Sequence, residues 1–357
     1  MALATNETIR VAWTACRLVL AEPFVIARAS VAEVTTVFVR VAHGGLVGYG
    51  EARPAGYLGE SAEQVGRQLG ELAASGLLGT DPADLAGVHA RLRDHGASGA
   101  VRAGLDAALH DLCGRRAGLP VYRLLGLGRG RVRSMRTVSL GPPARMARSA
   151  ARLPRRATAK LKLGGRDGLD ADRVRAVRAA RAGPLAVDAN GGWDLDEALA
   201  LLPVLAACRV RLVEQPLAPG DPGAPAVKAA AAMPVVLDEE CRDLADLERC
   251  ADRAHGVNIK LGKCGGLLPA VELARAARGR GLRVLLGCHL ESGLGIGAAS
   301  QLSGLADWAD LDGNLLLAAD PWQGPVWRRG RQRPRRAPGL GVAPRRGYQP
   351  CWSTPAG

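Results

Sequence analysis

Lysine has almost disappeared from this chain: of 48 lysines and arginines in 357 residues, only Lys160, Lys162, Lys228, Lys260 and Lys263 are lysine. Four of the five fall in two tight clusters, Lys160-Leu161-Lys162 and Lys260-Leu261-Gly262-Lys263, each closing an apolar run. Surface charge does not account for them, because arginine supplies it everywhere else. What arginine cannot do is lose its proton near neutral pH, whereas a lysine beside another cation in a partly dry site can be brought into a working range. A general base is the chemistry these positions imply. Lys160 and Lys162 lie two apart on a strand, so they share a face and should weaken each other's hold on a proton. The plainer alternative is a pair of lysines snorkelling at a strand end.

Between the clusters stand three carboxylates, Asp188 in Val-Asp-Ala-Asn, Glu214 in Val-Glu-Gln-Pro and Asp238 in Leu-Asp-Glu-Glu. Each follows an apolar run, where an unpaired carboxylate would be costly. One alone would read as a helix cap or an ion-pair partner. Three oxygen donors from separate elements, without histidine or cysteine beside them, suit a hard divalent cation that keeps places for water and substrate, and so magnesium rather than zinc.

The elements that must carry these residues repeat. Apolar runs end at Lys162, Asp188, Glu214, Asp238 and Lys260, each followed by an Ala/Leu/Arg-rich amphipathic stretch, and Val284 to Gly287 begins another. Strand, helix and two loops fill such a period, which predicts successive βα units and a parallel sheet. Five ionisable strand ends converge on one site only if the sheet closes, so a barrel is favoured over an open sheet. Before about residue 130 the pattern differs. Val34 to Val41 alternates as a strand, Gly44-Gly45 turns, Leu46 to Glu51 returns, and helical periodicity runs over 61–72 and 101–115. The expected organisation is an α+β domain over residues 1–130, a barrel over 131–318, and a C-terminal segment over 319–357.

Composition narrows the function classes. The net charge of +14 is concentrated late: eight arginines between Arg328 and Arg346 face no acidic residue after Asp320, which leaves +6 elsewhere. Interleaved with Pro and Gly, the tail shows no aromatic platform, so a solvated surface is preferred over nucleic-acid binding; a non-catalytic polyanion-binding protein is the rival of another class. Eight scattered cysteines without a CxxC pair read as reduced thiols. No run is long and apolar enough for a membrane span, and a cytoplasmic setting is the default. A homo-oligomer is left open.

Lys-Leu-Lys, Asp-Ala-Asn, Glu-Gln-Pro, Leu-Asp-Glu and Asn-Ile-Lys-Leu-Gly-Lys-Cys-Gly-Gly resemble, in order and spacing, the muconate-lactonizing subgroup of the enolase superfamily. Gly48-Tyr49-Gly50-Glu51-Ala52 and Tyr57-Leu58-Gly59-Glu60 look like its capping domain, and Pro338-Gly339-Leu340-Gly341-Val342 like its returning segment. The resemblance implies a modified TIM barrel, (β/α)7β, with an N-terminal α+β cap. It implies Mg2+ on Asp188, Glu214 and Asp238, Lys162 and Lys260 as acid/base pair, Lys160 as tuner of Lys162, and Asn190 and Glu239 as supports behind the ligands. Such sites take a proton from a carbon next to a carboxylate. Asp310-Leu311-Asp312, two carboxylates expected on one strand face, resembles the motif with which dipeptide epimerases hold the free ammonium of a dipeptide; a turn or helix-capping role is the alternative. Arg28, after a mobile loop expected beyond Glu22-Pro23-Phe24, suggests an acidic side chain and thus L-Ala-D/L-Glu or a related dipeptide, unless it is one more solvated arginine. Glu291 could position a lysine or the substrate amine, and His289 stands where many relatives have methionine. Rivals on the same fold are an N-acylamino acid racemase, o-succinylbenzoate synthase and a cycloisomerase.

Overall fold

Val34 to Val41 alternates because it lies in the middle strand of an antiparallel sheet. In the computed structural model, which describes residues 7–130 and 132–355, β2 (Ala29–His43) pairs with β1 (Arg10–Ile26) and with β3 (Leu46–Ala52), turning into β3 at Gly44 and Gly45. The boundary expected at Arg131 lies outside the described residues. β1 shows little alternation and is not among the strands the sequence predicts; Pro23 and a register break between Val19 and Phe24 suit its place at the sheet edge. Its end also replaces the mobile loop expected beyond Glu22-Pro23-Phe24: these residues are strand, and only Ala27 and Arg28 turn into β2. The hairpin tip is tied to the barrel, where Leu140 donates its N–H to the Val25 carbonyl at 2.9 Å.

Three helices cover this sheet, α1 (Ala62–Ser75), α2 (Leu85–Asp94) and α3 (Gly99–Ala117). α1 begins where it does because Ser61 Oγ accepts from Gln64 N–H and the Gln64 side chain accepts from Ser61 N–H, a capping box contributing about 1 kcal/mol. α3 presses on β3 so closely that a Cβ at Gly50 would strike the Gly104 carbonyl oxygen, which gives the Gly-Tyr-Gly-Glu motif its second glycine.

A short α4 (Val121–Leu124) leads to eight parallel strands in sequential order: β4 (Arg136–Val138), β5 (Ala159–Lys162), β6 (Leu185–Asp188), β7 (Val210–Glu214), β8 (Val235–Leu237), β9 (Gly256–Ile259), β10 (Arg283–Gly287) and β11 (Trp308–Asp310). Seven helical crossovers join them. They are α5 (Pro143–Arg152), α6 (Asp170–Ala180), α7 (Leu195–Ala207), α8 (Ala224–Ala230), α9 (Leu244–Cys250), the pair α10 (Leu261–Cys264) and α11 (Leu267–Gly279), and α12 (Gly293–Ser300). The ring closes where Ser134, just before β4, bridges Ala309 in β11 and Met135 N–H reaches the Ala309 carbonyl at 2.8 Å. The (β/α)7β barrel expected from the converging strand ends is the fold observed.

Lys162, Asp188, Glu214 and Asp310 are the last residues of β5, β6, β7 and β11; Asp238 and Lys260 lie one residue past β8 and β9. All therefore face one mouth. β5 and β9 stand opposite one another in the ring of eight, with the three acidic strand ends between them.

The cap is locked over that mouth. Buried Glu51 of β3 accepts from Ser292 N–H at 3.1 Å, Ser292 Oγ–H at 2.5 Å and Gly295 N–H at 2.9 Å, satisfying free amides at the start of α12. The C-terminal segment returns to the cap at two places, where Ser353 bridges Trp13 and Trp322 wedges edge-on against Phe38 at 5.4 Å. Among the described residues no helix is long and apolar enough to cross a membrane.

Candidate active site

Lys160 is 2% exposed, with Nζ 2.6 Å from Asp310 Oδ2, 2.7 Å from Glu214 Oε2 and 3.0 Å from Asp188 Oδ2. Lys162, two residues on and on the same face, reaches the same Asp188 oxygen at 2.6 Å and Asn190 Oδ1 at 3.3 Å. From across the ring Lys260 donates to Asp238 Oδ2 at 2.6 Å. Burial alone would lower the proton affinity of Lys160, but Asp188, Asp310 and Glu214 raise it well above the ordinary lysine value. Asp238, followed by Tyr57, does the same for Lys260 against its burial.

Asp188, Glu214 and Asp238 are each no more than 1% exposed. Strand register sets Asp188 beside Glu214, and Glu214 beside Val236, two residues before Asp238. Lys160 and Lys162 overcome burial to hold Asp188 well below the usual carboxylate range, and Lys260 and Lys263 do so for Asp238. Glu214 differs: burial and the Asp188 charge push it up to about 7. Its Oε2 has no hydrogen bond, because the 2.7 Å approach of Lys160 lacks the directionality of one; the approach is charge attraction only. Asn258 Nδ2 holds the other oxygen at 2.8 Å. Among the described residues no three acidic, histidine or cysteine side chains are drawn together tightly enough to cage an ion as they stand. The donor chemistry nevertheless fits one, since three adjacent strand ends offer carboxylate oxygens alone and Glu214 lacks a full share of positive charge.

A cavity of about 510 Å³ lies under the cap, and Asp188, Glu214 and Asp238 are not in its lining. Lys160, Lys162, Lys260, Asn190, Glu239, Asp310 and Asp312 reach it, with apolar walls from Phe24, Ile26, Val31, Val34, Leu290 and Leu316. A wider polar cleft of about 630 Å³ lies beside it, lined by Gln64, Arg67, Arg102 and Arg242; it reaches Lys263 but neither Lys162 nor Lys260.

Several side chains stand differently from the sequence expectation. Asp312 is not on the strand with Asp310: its backbone has left the extended region, and its carboxylate accepts from Thr137 N–H at 2.6 Å and Thr137 Oγ1–H at 3.2 Å, bracing the barrel seam. Burial and the Asp310 charge push it up to about 6. Arg28 does reach the cavity, but Glu239 takes its guanidinium at 2.6 Å and the Asn190 carbonyl at 2.9 Å. Glu239 meets Arg28 and the Asn190 side-chain amide, and Asn190 in turn donates its N–H to Asp188 Oδ1 at 2.9 Å. Glu291 does not line the cavity. It accepts the His289 N–H at 2.9 Å and is pushed up to about 7 by burial and Glu51.

Sequence reasoning also gave no role to Lys263, Asn258, Gln215 or Tyr57. Lys263 Nζ shares its three N–H groups among four oxygens, the Asp238 carbonyl at 2.5 Å, Asp238 Oδ1 at 2.7 Å, the Asn258 carbonyl at 2.8 Å and the Cys241 carbonyl at 2.9 Å, and Gln215 Oε1 accepts the Asp238 N–H at 2.9 Å. The signal available was membership of the same short motifs.

Known proteins share this architecture. Residues 8–126 match the mandelate racemase/muconate lactonizing enzyme N-terminal domain, and residues 145–348 match the enolase C-terminal domain-like family. The hydrophobic dipeptide epimerase of Roseobacter litoralis is 37% identical over 85% of this chain and 90% of its own length. The L-Ala-D/L-Glu epimerase of Bacteroides thetaiotaomicron is 34% identical over 91% and 85%. A solved dipeptide epimerase of Cytophaga hutchinsonii, complexed with Mg and D-Ala-L-Val, superposes with a TM-score of 0.89 at 30% identity, covering 96% of this chain and 97% of that one. With both halves of the chain matched and these relatives spanning most of it, the protein belongs to the mandelate racemase/muconate lactonizing enzyme family of the enolase superfamily.

Proposed function

We propose that this chain is a dipeptide epimerase that inverts the α-carbon of the second residue by 1,1-proton transfer, with Lys162 and Lys260 as the acid/base pair. The observation that carries the reading is the placement of these two ammonium groups at opposite sides of one cavity, at the ends of β5 and β9. A proton taken by one lysine from one face of a carbon can be replaced from the other face by the second, which inverts the centre. Asp188, Glu214 and Asp238 would hold Mg2+. Bound there, the cation supplies positive charge against the substrate carboxylate and so lowers the cost of removing the neighbouring α-proton.

The remaining roles follow from the side chains' partners. Lys160, held protonated among Asp188, Glu214 and Asp310, fixes those carboxylates rather than exchanging protons. Asp310 Oδ1 is buried without a partner, and Asp312 is destabilised as an anion, so the pair favours an incoming ammonium such as the free amine of a dipeptide. An N-acylated amino acid, a succinylbenzoate precursor or a muconate offers no such group. Phe24, whose ring lies 5.6 Å from Lys162 Nζ, and Tyr57 line the cavity from the cap side. We divide the chain by these roles into a cap to about residue 130, a barrel to about 318 and a bracing segment beyond. Its eight unpaired cysteines suit a reducing, cytoplasmic setting.

The walls favour apolar dipeptides over L-Ala-L-Glu, because an acidic side chain would have to draw Arg28 out of its ion pair with Glu239. In heavy water the Mg-loaded protein should place deuterium at the α-carbon of the second residue and form the epimer, with kcat/KM at least about tenfold higher for L-Ala-L-Leu than for L-Ala-L-Glu. Absence of exchange across a dipeptide library would refute the activity. A preference for L-Ala-L-Glu would refute the specificity alone.

A further inference from the structure

The cap covers the two lysines with different devices. Above Lys162 it places the Phe24 ring, and beside it Arg28, which donates to the carbonyl of Asn190, the partner of Lys162, at 2.9 Å. On the Lys260 side it places Tyr57, in the turn Gly56–Leu58, whose hydroxyl lies 2.9 Å from His289 Nε2 and whose ring meets the imidazole at a centroid distance of 5.9 Å. His289, just past β10, rests on the backbone beyond Lys260: a Cβ at Gly262 would come within 3.3 Å of its Nδ1. That Nδ1 has no hydrogen bond and stands 3.8 Å from Glu291 Oε1. Burial, then the charges of Lys260 and Arg53, hold the imidazole well below its usual range, so it meets the tyrosine as a neutral ring.

Core packing alone does not explain Tyr57, which is 40% exposed; its ring stands at the cavity mouth between the His289 imidazole and the Arg28 guanidinium, the latter 5.4 Å from its centroid. It is the last of three stitches between one stretch of cap and one of barrel. Glu51 holds Ser292 and Gly295, Arg53 Nε donates to the Leu290 carbonyl at 2.9 Å, and Tyr57 holds His289. Glu51 is set back in the joint, whereas Arg53 and Tyr57 both line the cavity with Lys260.

We infer that Tyr57 and His289 form a positioning pair private to Lys260: their hydrogen bond holds the cap turn down on that side of the cavity and so governs proton transfer at one face of the α-carbon and not at the other. The inference rests on the reading that Lys162 and Lys260 serve opposite faces.

The test reads deuterium entering the recovered starting epimer, for each epimer of a good dipeptide substrate. Net turnover would hide the asymmetry, because its two directions are tied to one equilibrium. Lys162→Ala and Lys260→Ala calibrate the assay, each abolishing exchange from one epimer. Tyr57→Phe, which keeps the ring, should slow exchange from the Lys260-served epimer about tenfold, the effect of one lost hydrogen bond, and from the other less than about twofold. His289→Met should reproduce this, and His289→Gln, which can still accept from the hydroxyl, should recover most of the rate. Equal slowing of both epimers, or none, overturns the pair's private role. If the two lysine variants fail to split the epimers, the two-lysine reading itself has failed and the inference falls with it.

Discussion

At the scale of single residues, the shortage of lysine marked the right positions but not the work each does. Lys160, Lys162 and Lys260 all reach the cavity, whereas Lys263 is turned away into a cup of three carbonyls and one Asp238 oxygen. Nothing in a linear motif says where carbonyl oxygens from β8, α9 and β9 neighbourhoods will converge, so this role was not legible. The same limit hid the engagement of Arg28 by Glu239, since a loop arginine and a strand-end glutamate are far apart in sequence. Lys263 has a consequence of its own. Removing it leaves a buried carboxylate and three carbonyls short of a donor, and such a loss typically costs about 3–5 kcal/mol. Lys263→Ala should therefore lower the urea midpoint sharply, and Lys263→Arg should not rescue it, because a planar fork does not fill a site built round a compact ammonium. A wild-type midpoint for Lys263→Ala would show the cup to be dispensable.

At the scale of elements, the barrel strands were legible because parallel strands buried on both faces read as apolar runs, and their last residues were polar for a reason. β1 was not, since an edge strand interrupted by Pro23 keeps no period. Nor was the joint between α3 and α11. There Asp106 is buried, accepting from His89 Nε2 at 2.6 Å and facing His110 Nδ1 at 3.3 Å, and it receives the N–H of Leu267 at the start of α11. Gly266, at φ 132°, lies against it so closely that a Cβ would strike the carboxylate. Burial opposes the charge on Asp106, yet His110 and His89 hold it well below the carboxylate range; Asp106 in turn raises His110 against its own burial. The carboxylate's contribution is present above its unfolded value of about 3.9 and is lost as pH falls through its lower folded value. The imidazolium's contribution is present below about 6.5 and is lost as pH rises through its higher folded value. Cap and barrel should thus be joined most firmly between these limits. The thermal midpoint should fall from pH 6.5 toward pH 9, and His110→Gln should flatten that slope; an unchanged slope would remove His110 from the joint.

At the scale of the whole molecule, charge is polarised along the barrel axis in a way that net charge alone did not reveal. The arginine-rich tail is the surface segment expected, with Arg328, Arg329, Arg336, Arg345 and Arg346 exposed, but part of it is folded: Val326–Arg328 and Arg331–Arg333 form a hairpin against the N-terminal end of the barrel, where Gly330 accepts the Ser134 N–H. With Arg133, Arg155, Arg156 and Trp327 the hairpin residue Arg329 lines a hollow of about 500 Å³, and a neighbouring hollow of about 420 Å³ is lined by Arg178, Arg181, Arg209 and Arg211. Neither lining contains an acidic residue. The sequence could not show this, because these arginines are brought together only when neighbouring βα units and the C-terminal hairpin pack. Burial, then Arg209, lowers the proton affinity of Arg178, the mark of like charges held close. Such repulsion works against the compact state and is relieved by anions that bind the folded form. The thermal midpoint should therefore be several degrees higher in phosphate than in chloride at matched ionic strength, and Arg209→Gln with Arg211→Gln should remove most of that difference. Because the hollows open at the end of the barrel opposite the lysines, the double variant should keep its kcat; equal midpoints in the two salts would show that the arginines are already relieved by solvent.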